Sequence, residues 1–215
     1  METLPLKINE IFHSIQGESL LAGKPTVFIR TAACNLRCTW CDTRYSFWQA
    51  KLMSQEDVMV KVRSYECPYV CVTGGEPLGQ GAVIDLLKTL LTEKFNVSLE
   101  TNGSFSIKDV PRDVIKVIDI KCPESGEGDS FAWENLQLVT PEDQLKFVVA
   151  SEADFNWSAK LCEEHSLEKK CHVLFSPVHG KVSPRDLARW ILDANRPVTM
   201  QTQLHKEIWG SERGV

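Results

Sequence analysis

Seven short runs rich in valine and isoleucine recur along the chain and limit what it can fold into: TVFIRTAA (26–33), YVCVTGG (69–75), NVSLETNG (96–103), VIKVIDIK (114–121), QLKFVVA (144–150), HVLFSPV (172–178) and RPVTMQTQL (196–204). Runs that stay apolar at consecutive positions suit strands covered on both faces, as in a parallel sheet. Helical patterns fall between several of them. GAVIDLLKTLLTEKF (81–95) carries apolar residues at helical spacing. SQED (54–57) and SEAD (151–154) have the form of capping boxes, and SPRD (183–186) places Pro184 at a first helical position. The alternation predicts an α/β fold with a parallel sheet. At 215 residues the chain is short for a complete eight-unit barrel, so a partial barrel of the (β/α)6 type is expected. No linker-like stretch divides it, which predicts one domain over 1–215. LKINEIFHSI (6–15) precedes the first run and is expected to add a strand or lid.

The net charge of −5 disfavours a nonspecific nucleic-acid binder, which needs a basic face. No apolar run is long enough to cross a bilayer, and METLPLKINE lacks the layout of an export signal, so a cytosolic protein is expected. In that setting the eight cysteines point to metal, redox chemistry or plain burial rather than disulfides. Cys67, Cys71, Cys122, Cys162 and Cys171 lie dispersed in apolar segments and read as buried small hydrophobes. Cys34, Cys38 and Cys41 cluster in CNLRCTWCDT (34–43), where a site belongs: just past a strand's carboxyl end.

Zinc would need a fourth ligand, and no second pair of cysteines stands nearby; Cys71 or Cys122, each near a strand end, could supply one. A cuboidal iron–sulfur cluster suits three closely spaced thiols better. Three thiolates on a 4Fe-4S cluster leave one iron open to a small molecule, whereas a simple electron carrier fills all four corners. The spacing C-x3-C-x2-C, with aromatic Trp40 before the third cysteine, resembles the signature of the radical S-adenosylmethionine (SAM) superfamily. That resemblance implies that SAM chelates the open iron and is cleaved to a 5'-deoxyadenosyl radical. It places Trp40, Cys41 and Asp42 beside the adenine. It also assigns Gly75 and Glu76 of VTGGEP (72–77) to the methionine amino group. Thr101, Asp119, Ile120, Lys121, Ser176, Pro177, Val178 and His179, at later strand ends, are candidates for the ribose and carboxylate.

EIFHSIQGES (10–19), PTVFIR and CNLRCTWCDT, followed by TGGEP, ETNG and QLHKEIW, closely resemble the 7-carboxy-7-deazaguanine synthases from about residue 8 onward. The resemblance implies conversion of 6-carboxy-5,6,7,8-tetrahydropterin to 7-carboxy-7-deazaguanine with loss of ammonia, and reusable SAM. It implies pterin contacts from Ile15, Gln16, Gly17 and Thr73, a carboxylate contact from Arg30, and a Mg2+ ligand in Thr43. A flavodoxin- or ferredoxin-type reductant and a homodimer are further implications. The chain departs from many members in having Asp119-Ile120-Lys121 in place of Ser-Pro-Lys, and Ser176-Pro177 in place of Gln-Pro. The tail GSERGV is expected near the substrate. Two other classes fit the cysteines alone: an activase that installs a glycyl radical in a partner protein, and a non-enzymatic iron–sulfur or zinc module.

Overall fold

The computed structural model describes residues 4–210 and 212–215. Its centre is a nine-stranded sheet in the order β3-β1-β2-β4-β5-β6-β7-β8-β9. Strands β2 (Pro25–Thr31), β4 (Tyr69–Gly74), β5 (Asn96–Thr101), β6 (Ile115–Asp119), β7 (Gln144–Val149), β8 (His172–Pro177) and β9 (Thr199–Met200) run parallel. Each corresponds to one of the seven apolar runs. β1 (Leu6–Ile15) adds antiparallel to β2, and β3 (Lys51–Met53) adds antiparallel to β1. The architecture is α/β with a mainly parallel sheet, and among the described residues no ladder joins the outermost strands.

Helices α1 (Gln55–Arg63), α2 (Ala82–Thr92), α3 (Glu152–His165) and α4 (Pro184–Ala194) connect parallel strands, and α5 (Leu204–Trp209) follows β9. The serine caps fall where the sequence places them. Ser54 accepts from the Asp57 N–H and Asp57 returns the bond, completing the box. Ser151 and Ser183 accept from the N–H groups of Asp154 and Asp186. Asp154 does not complete a box, because its carboxylate accepts from the N–H groups of Ala150 and Glu124 and so ties α3 to the segment after β6. Leu86, Leu87 and Leu90 of α2 and Met59 of α1 are fully buried, as are Ile29, Val72, Leu99, Ile118, Leu145 and Phe147 of the sheet.

All seven parallel strands end before their apolar runs do, and at three of them the local geometry shows why. β2 stops at Thr31 because Ala33 takes a left-handed conformation (φ 69°) that turns the chain into the cysteine loop. β5 stops at Thr101, before Asn102 and Gly103 (φ 70°) begin a turn. β9 shrinks to two residues because the backbone beyond Met200 turns away to meet the loop after β1: the Gln201 side chain accepts from the Ser19 N–H (2.7 Å), and the Leu204 N–H donates to the Gly17 carbonyl (3.0 Å). No helix among the described residues is long and apolar enough to cross a membrane.

Candidate active site

One cavity of about 650 Å³ opens at the carboxyl ends of the parallel strands. Side chains on alternate positions form its wall: Phe12, Ser14 and Gln16 from β1 and its end, Phe28 and Arg30 from β2, Thr73 from β4, Glu100 from β5, Val117 and Asp119 from β6, Lys146 and Val148 from β7. The period of two along each strand brings these positions to one face. The cysteine loop, the segment around His179, helix α5 and residues 212–215 complete the rim.

Cys34, Cys38 and Cys41 are half-buried and all line this cavity. Their loop is held by its neighbours. Arg37 donates through its backbone to Glu127 (2.6 Å) and through its guanidinium to the Cys34 carbonyl (2.7 Å); Thr39 N–H donates to the Ser125 carbonyl (3.0 Å). Cys34 Sγ accepts from the Leu36 N–H (3.4 Å) and lies 3.8 Å from Asn102 Nδ2. Burial raises the Cys34 and Cys38 thiols above the ordinary cysteine value, so binding a metal there releases protons. The five other cysteines are buried. Burial pushes Cys71 well up, and it pushes Cys122, whose Sγ lies 3.4 Å from Ser158 Oγ, to about 12. Neither is among the residues lining the cavity, so the fourth-ligand expectation for them fails.

The paired glycines act first on the cysteine loop. Gly75 N–H donates to the Thr31 carbonyl (3.0 Å) and Glu76 N–H to the Ala33 carbonyl (2.8 Å). A Cβ on Gly75 would collide with the Ala33 carbonyl, so only glycine lets β4 approach the chain entering that loop. Gly75 also lines the cavity, but Glu76 does not. Its buried carboxylate accepts from Leu78 N–H (2.9 Å), Thr101 Oγ1 (2.8 Å) and Asn102 N–H (2.7 Å), joining the ends of β4 and β5. Burial raises its pKa against those bonds. Ile120, Ser176 and Pro177 are likewise absent from the wall: Ile120 packs in the core and the other two are buried within β8. Thr101, Asp119, Lys121, Val178, His179, Trp40 and Asp42 do line the cavity. The Lys181 ammonium sits 5.0 Å from the centre of the Trp40 ring.

Ile15, Gln16, Gly17, Arg30, Thr43 and Thr73 are gathered in the same wall. Gln16 Nε2 and Thr73 Oγ1 donate to the two oxygens of Glu100 (3.2 and 2.9 Å). Arg30 Nε donates to Glu10 (2.7 Å), whose same oxygen accepts from Tyr45 OH (2.8 Å). Despite burial, the neighbouring Tyr45 and Glu10 hold the Arg30 pKa above its usual value, while burial lifts Tyr45 to about 12. Among the described residues only Nε of Arg30 is engaged, which leaves both Nη groups for an anion. The Thr43 hydroxyl makes no cap bond to the turn that follows it, and lies 3.8 Å from Cys41 Sγ. A Cβ on Gly17 would strike the His205 ring, so glycine there lets α5 dock against the loop.

Sequence reasoning did not single out Glu18, Glu100, Asn102, Lys146 or His205. Glu18 and Glu100 stand inside the phrases QGES and ETNG, and Lys146 is the one charged residue of its strand. A charge within a buried strand that is apolar from Phe147 onward was the available signal.

The radical SAM superfamily model matches residues 28–119. A 7-carboxy-7-deazaguanine synthase from Koribacter versatilis is 40% identical over 226 residues, spanning 98% of this chain and 100% of the relative. Another from Chlorobaculum tepidum is 44% identical over 215 residues, 98% of each. The chain belongs to the 7-carboxy-7-deazaguanine synthase family. It is therefore a radical SAM lyase of 7-deazapurine (queuosine) biosynthesis, and the superfamily implies an iron–sulfur cluster and SAM. The crystal structure of QueE from Escherichia coli superposes with a TM-score of 0.79 at 21% identity, covering 94% of this chain and 95% of that one, a likeness of fold.

Proposed function

We propose that this chain converts 6-carboxy-5,6,7,8-tetrahydropterin to 7-carboxy-7-deazaguanine and ammonia, with SAM regenerated at each turnover. The observation that carries the reading is the cavity itself, where three thiols share one wall with Gln16, Arg30, Thr73 and Glu100. The donor set fits a 4Fe-4S cluster: three half-buried sulfurs in one loop, with an N–H group already directed at Cys34 Sγ. When bound, the cluster and SAM would supply the radical chemistry that begins by removing hydrogen from C6 of the pterin.

The chain's own residues bind, orient and shield. Arg30 offers two free amino groups to the substrate carboxylate, and Glu10 and Tyr45 keep the guanidinium in place. Glu100, with Gln16 and Thr73, presents acceptors and donors to the aminopyrimidine edge. Thr43 provides one neutral oxygen to Mg2+, a hard cation whose remaining ligands come from substrate and water. Gly75, Thr101, Asp119, Lys121, Val178 and His179 face the SAM side. Residues 212–215 and α5 line the mouth, with Arg213 4.0 Å from the Tyr45 ring centre, which favours a small molecule over a protein segment as occupant. Substrate minus ammonia equals product, so the reaction needs no net electrons. The initiating electron we assign to a flavodoxin- or ferredoxin-type reductant. The working unit is read as a cytoplasmic homodimer, each chain a single domain over 1–215.

The test is an anaerobic incubation of cluster-reconstituted protein with SAM, Mg2+, reductant and the pterin, followed by mass spectrometry. Product one ammonia lighter than substrate supports the reading. Accumulating 5'-deoxyadenosine beside untouched pterin overturns it.

A further inference from the structure

Lys146 does not belong to the motifs that carry the family resemblance, yet its Nζ lies at the centre of a charged chain crossing the cavity. It donates to Glu18 Oε2 at 2.6 Å and sits 3.6 Å from Asp119 Oδ2, which also accepts from Lys121 Nζ at 2.9 Å. The other Glu18 oxygen accepts from Gln203 Nε2 at 2.7 Å. Lys146 thereby joins three separate parts of the fold: the loop after β1, the end of β6 and the segment leading into α5. The side chains of Lys146, Glu18 and Asp119 are 10%, 13% and 16% exposed, so solvent screens the pairs little.

The geometry points to Lys146 as a positioning residue that clamps residues 16–19, and with them the pterin-facing Gln16 and Gly17, across the open side of the sheet. Three further contacts follow the same path. Gln144, also on β7, accepts from the Leu20 N–H (2.9 Å), Gln201 accepts from the Ser19 N–H (2.7 Å), and Gly17 accepts from the Leu204 N–H (3.0 Å). Gln144 and Lys146 project on the same face of β7 and grip the loop two residues apart. The loop ends the antiparallel strand β1, while β7 lies four strands beyond β2 in the sheet order. No strand pairing fixes one to the other, so side chains must do it. Lys146 supplies the cation that bonds Glu18 directly, and Glu18 is two residues from Gln16, whose own Oε1 accepts from the Glu18 N–H (3.2 Å). The carboxamide that faces Glu100 is thus set by where Lys146 pulls Glu18.

The assignment of this loop to the pterin rests on the function proposed above; the clamp itself rests on the contacts. The test compares Lys146→Met, Lys146→Arg and Glu18→Gln in full-length protein, by amide hydrogen exchange without ligands and by steady-state kinetics after reconstitution. Losing a buried charge-assisted bond is expected to speed exchange of the 16–22 amides about tenfold in Lys146→Met, and to raise KM for the pterin about tenfold with a smaller change in kcat. Lys146→Arg should restore much of both. Glu18→Gln, which keeps the side chain's shape, gives the same readout should Lys146→Met not fold. Unchanged exchange in the folded variants overturns the clamp, and faster exchange with an unchanged pterin KM overturns its positioning role. Faster exchange in a protein whose wild type leaves the pterin untouched upholds the clamp and removes the pterin assignment instead.

Discussion

Substituting Gly75→Ala tests how the second motif supports the first. The added Cβ would overlap the Ala33 carbonyl and come within 3.0 Å of Cys34 Cβ. Both obstacles are firm: one is backbone, the other the first atom of a cavity-lining side chain. Restoring normal contact requires the 33–34 peptide to retreat by on the order of 1 Å, and overpacking of this kind costs about 1–3 kcal/mol. The retreat also stretches the bonds from Gly75 N–H to Thr31 (3.0 Å) and from Glu76 N–H to Ala33 (2.8 Å), each contributing about 1 kcal/mol. A total near 3 kcal/mol lowers Tm by roughly 6–12 °C in a chain of this size. Because the displaced peptide carries Cys34, bound iron should fall more steeply than stability does. The assay is a thermal melt of the metal-free protein beside iron and sulfide analysis after reconstitution. Gly81→Ala is the control: that glycine caps α2 with ordinary helical angles (φ −56°) and a Cβ there meets nothing within 4 Å, so its effect should stay within about 0.5 kcal/mol. Gly75→Ala protein with wild-type Tm and full iron content would refute the bracing argument.

Three further outcomes follow from the same geometry. Glu76→Ala strips acceptors from two backbone N–H groups and the Thr101 hydroxyl, and should destabilise the metal-free protein by about 3 kcal/mol in chemical denaturation; a loss of SAM affinity without loss of stability would show that Glu76 serves the ligand instead. Burial alone would raise the Glu18 carboxyl, but Lys146 and Gln203 hold it at about 2 against an ordinary 4.5, an interval corresponding to about 3 kcal/mol. A depressed carboxyl stabilises above its unfolded value, so the stability gap between wild type and Glu18→Gln should be full at pH 7 and close as pH falls from about 4.5 toward 2. A gap that persists unchanged at the acid end would contradict the ion pair. Arg30→Lys keeps a charge but loses the fork of Nη groups, and should cut kcat/KM for the pterin by about 10- to 100-fold while leaving cluster content intact.

Much of the fold was legible because burial on both faces writes itself as unbroken apolar runs, and because a serine before a helical pattern marks its start. β1 begins and ends where LKINEIFHSI does. What escaped was set by tertiary context. β3 is three residues paired with β1, and β9 gives up the end of its apolar run to contacts with residues 17–19. The site divides in the same way. Residues tied to one motif, such as Cys34, Arg30 and Thr73, could be named from the phrases that contain them. Lys146 and Glu18 lie 128 positions apart and acquire meaning only when the sheet brings them within 2.6 Å. Glu76 shows the same limit: its sequence neighbours suggest a ligand contact, and the bonds its carboxylate accepts from the ends of β4 and β5 appear only in the fold.

In the function proposed above, one cavity unites a SAM-cleaving cluster with a pterin that loses ammonia. The most direct test of that function gives reconstituted protein a large excess of 6-carboxytetrahydropterin over SAM, and counts 7-carboxy-7-deazaguanine and ammonia in the same anaerobic sample. Both should form in equal amounts, at many turnovers per SAM supplied. A deazapurine yield that stops at one per SAM, or SAM consumed while the pterin remains, would contradict it.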